Sequence, residues 1–180
     1  MILVDENTPY WLGLARVSGL GVRGAHQLIR YFGSPQAVYQ ASLTELEGCG
    51  LPAPAAQAIF AQAGLKEADK EIGAAENAGC HLLTYGSEGY APLLQEMGDS
   101  PLVLYVQGAV SALSRRAVAV VGKRRPTAYG ISVAHRLTCD LAQRQLVIDS
   151  GLARGIASAA HRGALVAKGK TSPSWGPVLT

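Results

Sequence analysis

AVAVVGKRRPTAYG, residues 117–130, reads as a strand, a loop and the start of a helix in that order. The run Ala117 to Val121 is valine-rich and too short for an ordinary helix, as expected of a buried parallel strand. Gly122 permits a turn that a side chain would block. Pro126 disfavours helix at the residue before it. Beyond Gly130, Val133, Leu137 and Leu141 recur at helical spacing and form the expected apolar face of a helix ending near Gln145. LVIDSGLARGIASAAH, residues 146–161, repeats the pattern: a strand from Leu146 to Ile148, a glycine-flanked loop, and a helix from about Gly155. The two together make a βαβα unit, whose crossover is right-handed and whose ligands sit at the carboxyl ends of the strands. Both loops then present backbone N–H groups and guanidinium groups at one edge of a sheet, where helix N-termini attract anions.

Charge narrows the choice of anion. Residues 1–114 carry 5 Lys and Arg against 11 Asp and Glu, a net of −6, whereas residues 115–180 carry 11 against 2, a net of +9. Such asymmetry points to a polyanion as the partner of the second half. A dinucleotide site needs one or two cations, not a cluster such as Arg115, Arg116, Lys123, Arg124 and Arg125. The competing reading is a solvated basic surface.

The GKRRPTAYG loop, the SGLARGIASAAHRGAL segment and the upstream YAPLLQEMGDSPLVLYVQG (Tyr90 to Gly108) together resemble the DNA-processing protein A family, also called Smf. The resemblance runs from near the N-terminus to about Thr171. It implies a Rossmann-like domain that binds single-stranded DNA and helps load RecA in natural transformation, with no enzymatic activity, no cofactor and, for an intact member, a homodimer. It also implies that Gly122, Arg124 and Arg125 in the first loop, and Ser150, Gly151 and Gly155 in the second, lie in the phosphate pocket. The charges of Lys123 and Arg154 add both residues to the candidate site. Two positions depart from the family's pattern: Lys123 stands where a small hydroxyl residue is usual, and Ala157 where the family has aspartate.

The N-terminal part reads as short helices around glycine hairpins, Ser18-Gly19-Leu20-Gly21 and Gly48-Cys49-Gly50. Such hairpins resemble the helix-hairpin-helix module, whose turn N–H groups grip a phosphate without reading sequence. Arg23 and Arg30 lie two turns apart on the helix that follows the first hairpin. An ordinary α-helical bundle explains the same glycines, and the acidity of this half favours a protein-interaction or spacer role over DNA contact. Glu67 to Ala78 is expected as a helix, with strands His81 to Tyr85 and Leu102 to Val106 extending the sheet of the second domain. The fold class is thus α/β: a small N-terminal α-helical domain of helix-hairpin-helix or SAM-like type over residues 1–64, then an incomplete Rossmann-like doubly wound parallel sheet over 65–171.

After Thr171 the family would supply another buried strand, of the form Ile-Ala-Val-Leu-Gly. Ser172-Pro173-Ser174-Trp175-Gly176-Pro177 makes a poor central strand instead. A coding stretch for the family's strand, shifted by the loss of one nucleotide, encodes Ser-Pro-Ser-Trp. Residues 172–180 are therefore read as an out-of-frame or irregular tail, and the sheet as truncated within the Rossmann-like domain.

No apolar stretch is long enough to span a bilayer and the N-terminus lacks a signal peptide's basic start, so a cytoplasmic protein without membrane contact is expected. Cys49, Cys80 and Cys139 are odd in number and widely spaced, giving no metal-ligand pattern. His161 is expected to be a structural histidine paired with loop backbone, and Tyr129 to pack on its helix. The alternative function is a nucleotide-binding or nucleotide-cleaving Rossmann-like enzyme. Such an enzyme needs a positioned acid or base, and Asp140 and Asp149 are the only carboxylates after Asp99.

Overall fold

The computed structural model describes residues 4–174. They divide into two compact units, one ending at Val110 and one beginning at Ser111. The acidic and basic halves of the sequence follow this division, since residues 111–114 carry no charge.

The first unit is mainly helical: α1 (Thr8–Ala15), α2 (Gly21–Phe32), α3 (Pro35–Gln40), α4 (Leu43–Gly48), α5 (Ala53–Phe60), α6 (Leu65–Asn77), strand β1 (Cys80–Thr84), α7 (Pro92–Gln95) and strand β2 (Val103–Gln107). The breaks between helices are written in the residues that cap them. Gly33 ends α2 in the left-handed region at φ 90°, where its N–H donates to the Ile29 carbonyl. Ser34 accepts from the Ala37 N–H at 3.0 Å to start α3. Ser42 and Glu45 form a reciprocal capping box at α4, and these hydrogen bonds hold the Glu45 carboxyl below its usual range. Leu14, Leu28, Val38, Leu46, Ala56 and Ile59 fill the core between the helices, each large aliphatic contributing roughly 1.5–3 kcal/mol by burial.

Helix α6 and the two strands, assigned from sequence to the second domain, cluster instead with the helices. Ala68 and Ala75 of α6 share a core with Leu12 of α1 and Leu82 of β1. Gly64 lies so close to Gly13 that an added Cβ would come within 2.8 Å of its carbonyl oxygen. Strands β1 and β2 pair antiparallel with each other, from Cys80 against Gln107 to Thr84 against Val103. They form a ladder of their own and do not extend the parallel sheet.

The second unit is β3 (Ala117–Ala119), α8 (Ala128–Gln143), β4 (Val147–Gly151), α9 (Ile156–Val166) and β5 (Thr171–Ser174). The three strands form one parallel sheet in the order β3-β4-β5, with Val118 beside Ile148 and Ser150 beside Pro173. This is the Rossmann-like βαβα order expected from the glycine-punctuated runs. Right-handed crossovers between successive neighbours place both helices on one face, and α8 and α9 pack on each other.

That packing corrects the expected face of α8. Leu141 packs against the core as expected, and Ala134, Thr138 and Ala142 are buried, whereas Val133 is 44% and Leu137 49% exposed. The cause is a close helix approach: a Cβ on Gly163 of α9 would collide with the Thr138 hydroxyl and the His135 carbonyl. Only small residues fit such a contact, so Ala159, Ala160, Gly163 and Ala164 meet the alanine and threonine positions of α8.

The start of the expected tail is also ordered as strand. Ser172, Pro173 and Ser174 continue β5 against Asp149, Ser150 and Gly151. The proline is tolerated because β5 is at an edge of the sheet among the described residues, where a missing N–H breaks no ladder. The rest of that tail, residues 175–180, lies outside the described residues.

Candidate nucleic-acid interface

Two loops leave the carboxyl ends of β3 and β4, residues 120–127 and 152–155, where an open parallel sheet presents its ligand site. The ladder runs one step past β3, with the Val120 N–H donating to the Asp149 carbonyl at 2.8 Å. Ser150 closes the seam: its hydroxyl donates to the Val120 carbonyl at 2.6 Å and its side chain is buried. Its hydroxyl therefore joins the strand ends rather than facing the mouth of the site.

The loops interlock through backbone. The Ile156 N–H donates to the Lys123 carbonyl at 3.2 Å. Gly155 adopts φ 87° and ψ −126°, a conformation essentially reserved for glycine. A Cβ there would run into the carbonyls of Lys123 and Arg124, the latter at 2.7 Å. Gly122 makes the same kind of approach to Ile156, whose side-chain atoms would lie 2.7–2.8 Å from an added Cβ. Lys123, Arg124 and Gly155 are thus brought together by main-chain contact, and Gly122 joins them through the Ile156 side chain.

Smaller anchors hold the second loop. The Ser158 hydroxyl donates to the Ala153 carbonyl at 2.8 Å. The His161 ring bridges two elements, with Nε2 donating to the Gly151 carbonyl at 3.2 Å and Nδ1 paired with the Thr171 hydroxyl at 2.6 Å. This is the structural role expected of His161. Ala157 is buried in the first turn of α9, so the loop is fixed without the family's carboxylate.

Lys123, Arg124, Arg125 and Arg154 are exposed, and none makes an ion pair among the described residues. Around them lies an apolar rim that sequence reasoning missed: Val121 is 86%, Tyr129 79% and Leu152 65% exposed. Tyr129 does not pack on its helix as expected. It stands nine residues before the buried Thr138, about two and a half turns, and so on the opposite side of α8. Knowing that the small residues face inward would have revealed it.

Both carboxylates of this unit lie elsewhere. Asp140 is exposed on α8. Asp149 is in β4 with Oδ1 buried and unpartnered among the described residues. Burial pushes its carboxyl above the ordinary range, opposed by His161, the Ser150 backbone and the Ser174 hydroxyl. Among the described residues no group of His, Cys, Asp or Glu is arranged to hold a metal, and no helix is long and apolar enough to cross a membrane.

In the first unit, Arg23, Gln27, Arg30, Tyr31 and Gly98 line an open groove of about 570 Å³. Arg23 is 3.5 Å from the Asp99 carboxylate, and the Arg30 Nε donates to the His26 carbonyl at 3.3 Å. The hairpin glycines Gly19, Gly21 and Gly50 have φ of 80°, 66° and 77°, which turns between helices require.

Comparison with known proteins agrees with this architecture. The profile of the family described as DNA recombination-mediator protein A matches residues 81–176. The DNA processing protein DprA of Bacillus subtilis (strain 168) is 37% identical over 101 residues, covering 56% of this chain and 34% of that protein. Protein Smf of Escherichia coli (strain K12) is 35% identical over 168 residues, covering 91% of this chain and 42% of that protein. The X-ray structure of DNA processing protein A from Streptococcus pneumoniae superposes with a TM-score of 0.70 at 26% identity, over 95% of this chain and 57% of that one. The chain therefore spans between a third and three fifths of the length of these relatives.

Proposed function

The chain belongs to the DNA recombination-mediator protein A family, and on that premise we propose that its second unit binds single-stranded DNA across the carboxyl ends of β3 and β4. Arg124, Arg125, Lys123 and Arg154 contact phosphates, and the glycine-lined loops let backbone N–H groups approach beside them. The observation that carries this reading is the combination of four cations without an ion pair among the described residues with an exposed apolar rim of Val121, Tyr129 and Leu152. A duplex hides its base faces, whereas a single strand offers them to an aromatic or aliphatic surface. Ser150 and Gly151 serve this site as its scaffold. Handing the bound strand to RecA, which the family resemblance implies, is the proposed later step, in the cytoplasm.

The distribution of carboxylates supports binding over nucleotide cleavage, because a hydrolase needs an acid or base at the reacting atom. Asp140 and Asp149 are on a helix and a strand, not in the loops.

Fluorescence anisotropy with a labelled single-stranded oligonucleotide, titrated across salt concentrations, tests the reading. Tighter binding to the single strand than to the matching duplex is expected, with a log–log salt slope near −0.7 for each phosphate contacted. Equal affinity for the duplex, or no binding by the folded chain, would remove the proposal.

A further inference from the structure

A second basic surface lies in the same unit and is not part of the loops. Ile131, Ser132, His135 and Arg136 of α8 face Ala159 and Arg162 of α9 across a groove of about 440 Å³. We propose that this groove is a second segment of the nucleic-acid track, holding the phosphate backbone of a single strand after it leaves the loops. This inference rests on the strand-binding reading above.

The groove continues from the loops. Thr127, which caps α8 by accepting the Gly130 N–H at 3.1 Å, ends the first loop, and Ile131 and Ser132 begin the groove one turn later. Arg136 lies eight residues beyond Ala128, about 12 Å along the helix axis. The opposite wall starts equally close, because α9 begins at Ile156, the residue that contacts Gly122 and Lys123.

The groove is also basic. Each helix contributes one arginine, and the groove's lining contains no carboxylate. Asp140 follows Arg136 by four residues, yet no ion pair joins them. The Arg136 side chain makes no hydrogen bond or ion pair among the described residues. Arg162 uses Nε to donate to the Ser158 carbonyl at 3.2 Å, which steadies its stem and leaves the outer guanidinium nitrogens for a ligand. Ala159 keeps the floor low.

The lining chemistry also fixes what is recognised. The groove has two guanidinium groups, an imidazole and a hydroxyl but none of the large aromatic rings that stack bases. Its contacts are therefore to phosphate and add affinity without base preference. The loops and their apolar rim handle exposed bases, and the groove extends the footprint.

The test uses the full chain and two labelled single-stranded oligonucleotides, of about 4 and about 16 nucleotides. The Arg136→Ala/Arg162→Ala double variant is expected to bind the long strand roughly tenfold more weakly, with its salt slope reduced by about 1.4, and the short strand unchanged. Arg124→Ala is expected to weaken both lengths. The Arg136→Lys/Arg162→Lys variant, which keeps the charge, is expected to restore most of the long-strand affinity. A double alanine variant that binds both lengths like the parent, while Arg124→Ala fails on both, overturns the groove and leaves the loop site standing. Loss of a labelled acidic peptide from the double variant, with oligonucleotide binding intact, overturns it in favour of a protein ligand. A parent chain that binds neither strand overturns both readings.

Discussion

Replacing Gly155 by alanine tests whether main-chain contact between the two loops builds the site. At φ 87° and ψ −126° an alanine is strained, at a cost of about 1–3 kcal/mol. The new methyl also lands on the Lys123 and Arg124 carbonyls, and overpacking of that kind costs roughly 1–3 kcal/mol. One movement of the loop relieves part of both terms, so about 3 kcal/mol is expected rather than their sum. The relieving movement also parts Ile156 from the Lys123 carbonyl and carries Arg124 out of place.

Amide hydrogen exchange reads the effect locally. Val147 and Ile148, buried in the central strand, should exchange about two orders of magnitude faster if they open with the unit, since 1.4 kcal/mol is about a factor of ten. Single-strand affinity should fall in the same variant. Gly151→Ala is the control: its added Cβ would find only the Ser174 carbonyl, at 3.8 Å, and its φ is not positive. If Gly155→Ala exchanges and binds like Gly151→Ala, the loops are not held by backbone contact and the account of the site fails.

Tyr129→Ala should cost about 1–3 kcal/mol of single-strand affinity with the salt slope unchanged, because stacking releases no counterions; a reduced slope, or no loss, would return Tyr129 to a passive role. Tyr39 has a buried hydroxyl with no hydrogen-bond partner among the described residues, so Tyr39→Phe should stabilise the first unit by roughly 1 kcal/mol in urea. A loss of stability there would reveal a partner for the hydroxyl. Asp149 holds its proton more tightly in the folded chain. Its contribution to stability is therefore full below the unfolded pKa of about 3.9 and is lost as pH rises through the higher folded value. Asp149→Asn should melt above the parent at neutral pH and converge with it near pH 3. A gap that widens on acidification would reverse the sign of the argument.

The order of elements in the second unit was legible because each strand is a short apolar run and each loop is bounded by glycine. Which side of α8 is buried was not. Hydrophobicity favours Val133 and Leu137, but Thr138 and Ala142 are buried where Gly163 and Gly169 come close. Periodicity reports how apolar a face is and says nothing of how near the neighbouring helix comes. The same blindness hid Tyr129, whose exposure follows from that choice of face. Pro173 misled for a different reason, since its cost depends on whether a strand is central or at an edge, and that is a property of the sheet. Strands β1 and β2 could be located but not paired, because ladder partners far apart in sequence leave no local mark.

The departures at Lys123 and Ala157 bear on how the pocket works. A carboxylate at position 157, in the first turn of α9, would anchor the second loop but add negative charge beside the proposed phosphate site. Here the anchors are neutral: the Ser158 hydroxyl on Ala153, the Ile156 N–H on Lys123, and main-chain packing at Gly155. No ionised group of the loops then opposes Lys123, Arg124, Arg125 and Arg154. Lysine adds a flexible point charge, without the bidentate geometry of arginine. On the proposed reading, such a pocket would gain affinity from counterion release and selectivity for single strands from Tyr129, Val121 and Leu152. Salt should therefore weaken binding to single strand and duplex alike, while substitutions in the rim should narrow the difference between them.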